Sequence, residues 1–283
     1  MLTGCASQPA VLGSKPLWPF EEIAFRTSVG TVTGYVSRPE GPAERLIVVL
    51  QTSPCPADQQ DAGQHLATGG LVWKQFKDDS FFLQFERPGG GDAHSVIVAC
   101  DRADRHRPAW QDAVADSVTA LRRHERLDVP TFYVGIGRGA TTALTLAARD
   151  TRASSVALLS GMLDAGFAPA IEAADVRSHL PPVLILHAAD DRRTPLTQAE
   201  QTLARLGAKQ WPAALLIFEG TDSDFGLQSS TADCFDLVAQ TLGERVRKEH
   251  KAGDLPISRI ACPDGTDAAS GSSEIQIEHI EQR

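Results

Sequence analysis

The sequence of 283 residues is poor in cysteine (five), tyrosine (two) and methionine (two), and aromatic residues make up only 6% of it. No two cysteines have C-x-x-C spacing, so neither a thiol redox motif nor a zinc site of that kind is written in it. Positive charge is also short: 27 Lys and Arg stand against 36 Asp and Glu, for a net charge of -9. The cations are scattered, which leaves no electrostatic footprint for nucleic acid. No apolar run approaches the roughly 18 to 20 residues that a membrane-crossing helix needs. No internal repeat is present, and no histidine lies between His187 and His250. With 42% hydrophobic and 22% charged residues, the chain can bury a full core, as one α/β domain of this size does.

Strand and helix patterns alternate along it. Ile23–Thr27 and Thr31–Val36, separated by a turn at Gly30, predict an antiparallel hairpin at a sheet edge. Leu46–Leu50 is a continuous apolar run of the kind buried on both faces of a parallel sheet. The next strand is either Phe81–Phe85 or Val96–Ala99. Val114, Val118 and Leu121 mark one face of a helix over Trp110–Arg126. Thr131–Val134, Ser155–Leu159, Val183–Leu186 and Ala214–Phe218 predict further strands, the last of these closing the series. Helical spacing recurs over Leu196–Leu206 and Cys234–Val246. The fold class expected is α/β, with a mostly parallel sheet covered by helices on both faces. The domain is expected over 19–251, after an N-terminal tether at 1–18 and before a C-terminal tail at 252–283.

The densest signal runs from Pro130 to Arg149. An apolar strand enters Gly135-Ile136-Gly137-Arg138-Gly139, and an Ala/Thr/Leu helix follows. This resembles the nucleophile elbow of the α/β-hydrolase family, G-x-S-x-G, in which a serine stands exposed on a sharp turn. Gly137 occupies the serine's place, so the turn is retained without an attacking oxygen.

The other triad positions can be sought on the same resemblance. Leu186-His187-Ala188-Ala189-Asp190-Asp191-Arg192-Arg193-Thr194-Pro195 is similar to the H-G-x-x-D-x-x-V-P segment of dienelactone-hydrolase-like members. That makes Asp191 the triad acid, with Asp190 the alternative, and gives His187 a structural role in the loop. Gly220-Thr221-Asp222-Ser223-Asp224-Phe225 resembles G-x-x-H-x-F and puts Ser223 where the histidine belongs. A hydroxyl is no general base near neutral pH. Leu50 runs into Gln51-Thr52-Ser53-Pro54-Cys55-Pro56 in place of a glycine-rich oxyanion loop. Its two prolines remove backbone donors, while Thr52 and Ser53 keep polar groups at a strand end suited to ligand binding.

Gly135-Ile136-Gly137-Arg138-Gly139-Ala140 also fits the G-x-G-x-x-A phosphate loop, yet the next strand ends Leu158-Leu159-Ser160-Gly161 without a ribose-binding acid. No cofactor and no metal is therefore implied. Arg138, beside a helix start, either holds an anion or faces solvent. Near the N-terminus, Leu2-Thr3-Gly4-Cys5 resembles the lipobox of bacterial lipoproteins, in which the cysteine is lipidated. It implies a periplasm-facing location in the cell envelope with Cys5 as the only membrane link; the alternative is a free cysteine in a frayed terminus. Cys55, Cys100, Cys234 and Cys262 then remain, an even number suited to disulfides, with Cys55 and Cys100 expected just beyond strands at the carboxyl edge of the sheet. The function expected is binding of a small molecule or an envelope protein by a catalytically impaired hydrolase fold. The alternative is an esterase or other hydrolase with a relocated nucleophile.

Overall fold

The computed structural model describes residues 19–27, 30–51, 72–85, 93–137, 139–161, 180–192, 194–221, 257–261 and 277–280. A ten-stranded sheet dominates them, in the order β1-β2-β4-β3-β5-β6-β7-β8-β9-β10. Strands β1 (Glu21–Thr27) and β2 (Gly30–Ser37) form the expected antiparallel hairpin. Strand β2 pairs antiparallel with β4 (Ser80–Phe85). From β4 through β3 (Arg45–Gln51), β5 (Thr131–Ile136), β6 (Ala153–Leu159), β7 (Val183–Ala188), β8 (Ala213–Glu219) and β9 (Ile257–Ala261), every pairing is parallel. Strand β10 (Ile277–Ile280) returns antiparallel to β9. The mostly parallel α/β class is therefore as expected.

Alternation along the strands sorts the core into two faces. Val48, Tyr133, Leu158, Ile185 and Leu215 lie on one. They pack against apolar residues of α2 (Ala93–Glu125), α3 (Gly139–Arg149) and α4 (Leu196–Ala208), among them Val118, Leu144 and Leu206. Val49, Val134, Leu159, Leu186 and Leu216 face the other way, with Val72 and Phe76 of a short helix, α1 (72–76). Strands apolar on both faces require cover on both, which is why these segments read as unbroken hydrophobic runs.

Three expectations are corrected. Strand β4 is the Phe81–Phe85 run, and Val96–Ala99 lies inside α2, so Cys100 sits on a helix and not at the carboxyl edge of the sheet. All six side chains of β4 are buried, a density that a lone apolar quartet amid Asp, Arg and His could not supply on a strand. Ala213–Glu219 is not the last strand, and the sheet runs past 251 into the stretch read as a tail. Ile257-Ser258-Arg259-Ile260-Ala261 alternates, and burial of Ser258 and Ile260 beside Leu216 and Phe218 fixes its register. The helix expected over Cys234–Val246 lies outside the described residues, as do Cys5, Cys55, Cys234 and Cys262.

The amino-terminal end of β5 is tied down by a polar cluster. The Asp150 Oδ2 carboxylate accepts hydrogen bonds from the Thr131 and Tyr133 hydroxyls at 2.9 Å each, and its Oδ1 accepts from the Arg152 N–H at 2.9 Å. Arg122 of α2 donates to Thr131 Oγ1 and to the Val129 carbonyl, joining helix to strand. Burial above all, and Asp150 beside it, push the Tyr133 hydroxyl far above its ordinary range, so it stays a donor.

Candidate functional site

In a parallel sheet the chemistry-bearing loops gather at the carboxyl ends of the strands. Here those ends belong to β5, β6, β7 and β8. Strand β5, a turn at Gly137 and helix α3 give the strand, turn and helix expected. Gly137 has φ 56°, the left-handed region where a side chain is strained and glycine is not. The Gly137 N–H donates to the Leu159 carbonyl at 3.0 Å, and its own carbonyl accepts from the Ala140 N–H at 3.2 Å as the helix begins. The bend is tight because Gly135 lets the helix sit on the strand: a Cβ there would lie 2.6 Å from Ala140 Cα.

Asp191 lies beyond β7, the strand two places along the sheet from β5, and these strands stand ~10 Å apart across β6. It is buried, and its Oδ1 accepts the Thr194 N–H at 2.8 Å in a turn of its own loop. Asp190 instead uses its backbone, donating to the Thr221 carbonyl at 3.3 Å, while Ala189 N–H donates to the Phe218 carbonyl at 2.8 Å. These two bonds sew the loop after β7 to the end of β8 and to the segment beyond it, which turns at Gly220 with φ 74°. Ser223 follows that turn by three positions but lies outside the described residues, as do Thr52, Ser53 and Arg138.

His187, the penultimate residue of β7, is completely buried. Its Nε2 lies 2.8 Å from the Thr194 carbonyl, which can only accept, so Nε2 carries the proton and Nδ1 is left as an acceptor. Burial dominates its titration and holds the imidazole below the usual histidine range, so it is neutral at pH 7. The structural role expected of it is thus carried by a definite bond.

Two residues escaped the sequence reading. Ser160, at the end of β6, has φ 43°, and its N–H donates to the Leu186 carbonyl at 3.0 Å, which places it between the Gly137 turn and His187. A non-glycine residue in the left-handed region at a strand end marks backbone held against its preference. Thr221 is buried, and its hydroxyl has no hydrogen-bond partner among the described residues. The one available signal was position: Ser160-Gly161 closes a strand next to the elbow, and Thr221 follows a glycine after another. Among the described residues no group of His, Cys, Asp and Glu is arranged to hold a metal ion.

No protein-family model matches the chain, and no curated protein matches it in sequence. Solved structures do. A dienelactone hydrolase from Anabaena variabilis ATCC 29413 aligns over 82% of this chain and 99% of its own, with a TM-score of 0.59 and 16% identity. An alpha-beta serine hydrolase homologue from Coxiella burnetii covers 80% of this chain and 96% of its own, with a TM-score of 0.55 and 14% identity. The acylaminoacyl peptidase of Pyrococcus horikoshii reaches a TM-score of 0.60 at 14% identity over 84% of this chain, which spans 43% of that larger protein. Identities this low speak to architecture and not to activity. Together with the parallel strand order and the glycine-flanked turn between β5 and α3, these likenesses give the chain the fold of the α/β hydrolases.

Proposed function

We propose that this protein is a catalytically impaired member of the α/β-hydrolase fold that binds a ligand or partner through the crevice at the carboxyl ends of β5 to β8. The observation that carries the reading is the residue at the turn after β5. Gly137 holds the left-handed geometry in which hydrolases of this fold present a nucleophile, and it has no side chain to present. Acyl transfer needs an attacking atom and a base to accept its proton. Ser223, aligned with the histidine position, offers no basic nitrogen. Asp191 is engaged with the Thr194 N–H, a use that keeps the loop folded and needs no imidazole. Support for binding comes from the buried Thr221 hydroxyl just after β8, which has no hydrogen-bond partner among the described residues. The ligand class proposed is a small molecule or an envelope protein.

We propose further that Cys5 is lipidated and anchors the protein at the cell envelope, facing the periplasm, on the strength of Leu2-Thr3-Gly4-Cys5 alone. Mass spectrometry of the protein expressed from its full reading frame tests this by the mass of an acylated Cys5. An unmodified cysteine in that preparation removes the anchor from the proposal.

The test of catalysis is direct. Short-chain p-nitrophenyl esters should be hydrolysed no faster than in buffer, and a fluorophosphonate should leave no covalent adduct. Stoichiometric labelling would overturn the reading in favour of a hydrolase with a relocated nucleophile. Labelling that arises only in a Gly137→Ser, Ser223→His double variant would support both the alignment and the loss.

A further inference from the structure

Strand β1 ends the sheet, and no strand lies beyond it among the described residues. Thr27 and Gly30 pair although just two residues separate them, so they exchange both main-chain hydrogen bonds, as a two-residue hairpin requires. Alternation from that pair turns the N–H and C=O groups of Glu22, Ala24 and Arg26 away from β2 and toward the open edge. The side chains of these residues are exposed, while Phe25 is buried and Ile23 partly so. Glu21 is held by Arg38, but neither Glu22 nor Arg26 has an ion-pair partner among the described residues. We infer that β1 is the contact between two copies of this chain, joined antiparallel about a twofold axis at Ala24 into one continuous sheet.

The charges select a second copy as the occupant and fix the register. A twofold axis perpendicular to a sheet brings residues of one face together. Centred at Ala24, it sets Glu22 opposite Arg26 of the second copy, and Arg26 opposite its Glu22. Each of these opposed pairs exchanges two main-chain bonds, and Ala24 meets its own copy between them with little side chain to keep the strands apart. On the inner face Ile23 meets Phe25 of the second copy, which covers its exposed part. Moving the centre to Ile23 or Phe25 sets Glu22 or Arg26 opposite Ala24 and loses both ion pairs. Charge on an edge strand ordinarily keeps copies apart, because like charges face each other when strands add edge to edge. Here opposite signs stand equally far from Ala24 on either side, and self-pairing is attractive. One strand of seven residues from each copy makes a small interface, so association depends on concentration.

Sedimentation of the full chain under reducing conditions, from about 10 µM to about 0.5 mM, tests this without any ligand and so independently of the proposed binding function. The wild type should pass from monomer to dimer and go no further, since the pairing uses up the edge on both copies. Arg26→Glu sets acid opposite acid at both ends and should weaken association at least about tenfold. Adding Glu22→Arg to it restores opposite signs across the axis, and affinity should return to within about threefold of the wild type. Both positions are exposed, so thermal unfolding of these variants should match that of the wild type. A chain that stays monomeric throughout overturns the inference. So does an Arg26→Glu variant that associates as well as the wild type, or a double variant that stays monomeric. Growth beyond a dimer overturns it too, because β1 would then be pairing with a different edge. Hydrogen exchange of the wild type locates the contact without any substitution: the peptide over 21–27 should gain protection as concentration rises, and no gain there overturns the assignment to β1.

Discussion

The two ends of strand β5 are built on opposite plans. At its amino-terminal end, the Asp150 carboxylate gathers Thr131, Tyr133 and the Arg152 N–H, and Arg122 binds Thr131 from the neighbouring helix, leaving Arg122 Nε as the buried exception. At its carboxyl end the strand leaves through a side-chain-free Gly137, and β7 and the turn after β8 hold buried polar atoms, His187 Nδ1 and Thr221 Oγ1, without described partners. A polar group buried and satisfied fixes a fold, whereas one buried and unsatisfied costs stability and is kept at sites with another use. The first end therefore anchors the sheet. The second is where the binding site is proposed.

Substitutions at the two ends sharpen this contrast, and the largest effect is expected at the anchoring end. Asp150→Ala removes the shared acceptor of two buried hydroxyls and should lower unfolding free energy by about 3 to 4 kcal/mol in urea titration, because several partners are stranded at once. A loss under about 1 kcal/mol would show that the cluster does not anchor β5. Gly135→Ala should cost about 3 kcal/mol, since its Cβ would meet Ala140 backbone at 2.6 and 2.8 Å and the helix cannot retreat without opening the elbow. Chemical denaturation measures it, and a neutral result would mean that α3 is free to shift.

Gly137→Ser comes next, at about 1 to 2 kcal/mol, because it forces a side chain into the left-handed region. It should also fail to create a fluorophosphonate-reactive enzyme by itself, since no imidazole arrives with it. Tyr133→Phe should be the mildest, about 1 kcal/mol by thermal or urea melting, because Asp150 keeps Thr131 and the Arg152 N–H. A Tyr133→Phe loss as large as that of Asp150→Ala would mean that the phenol, and not the carboxylate, organises this end.

What could be read from the residues depended on how locally each feature is determined. Strands β3, β5, β6, β7 and β8 were legible because burial on both faces demands unbroken apolar runs. The choice between Phe81–Phe85 and Val96–Ala99 was not, since short apolar runs do not separate strand from buried helix. Strand β9 escaped because Ile257-Ser258-Arg259-Ile260-Ala261 has two large apolar residues only, and its place is set by pairing with β8, which ends at Glu219, far back along the sequence. Gly137 and Asp191 were singled out because each lies in one short segment that resembles an α/β-hydrolase motif. The hold of His187 and Asp191 on Thr194 was not, because it depends on the path of the loop, which brings one backbone unit between two side chains. Ser160 was missed for a related reason: its left-handed backbone is imposed by neighbours on β5 and β7 and leaves no mark in composition.

The outermost pair of strands has a practical consequence for anyone shortening this protein. Cutting the chain before Ile257 would strip Leu215–Glu219 of its neighbour and leave a row of bare amides and carbonyls along a hydrophobic ribbon. Such a row recruits whatever extended peptide is at hand, including the same ribbon on another molecule. A trimmed version made to ease crystallisation would therefore self-associate, and solubility would return only when the missing strands were supplied.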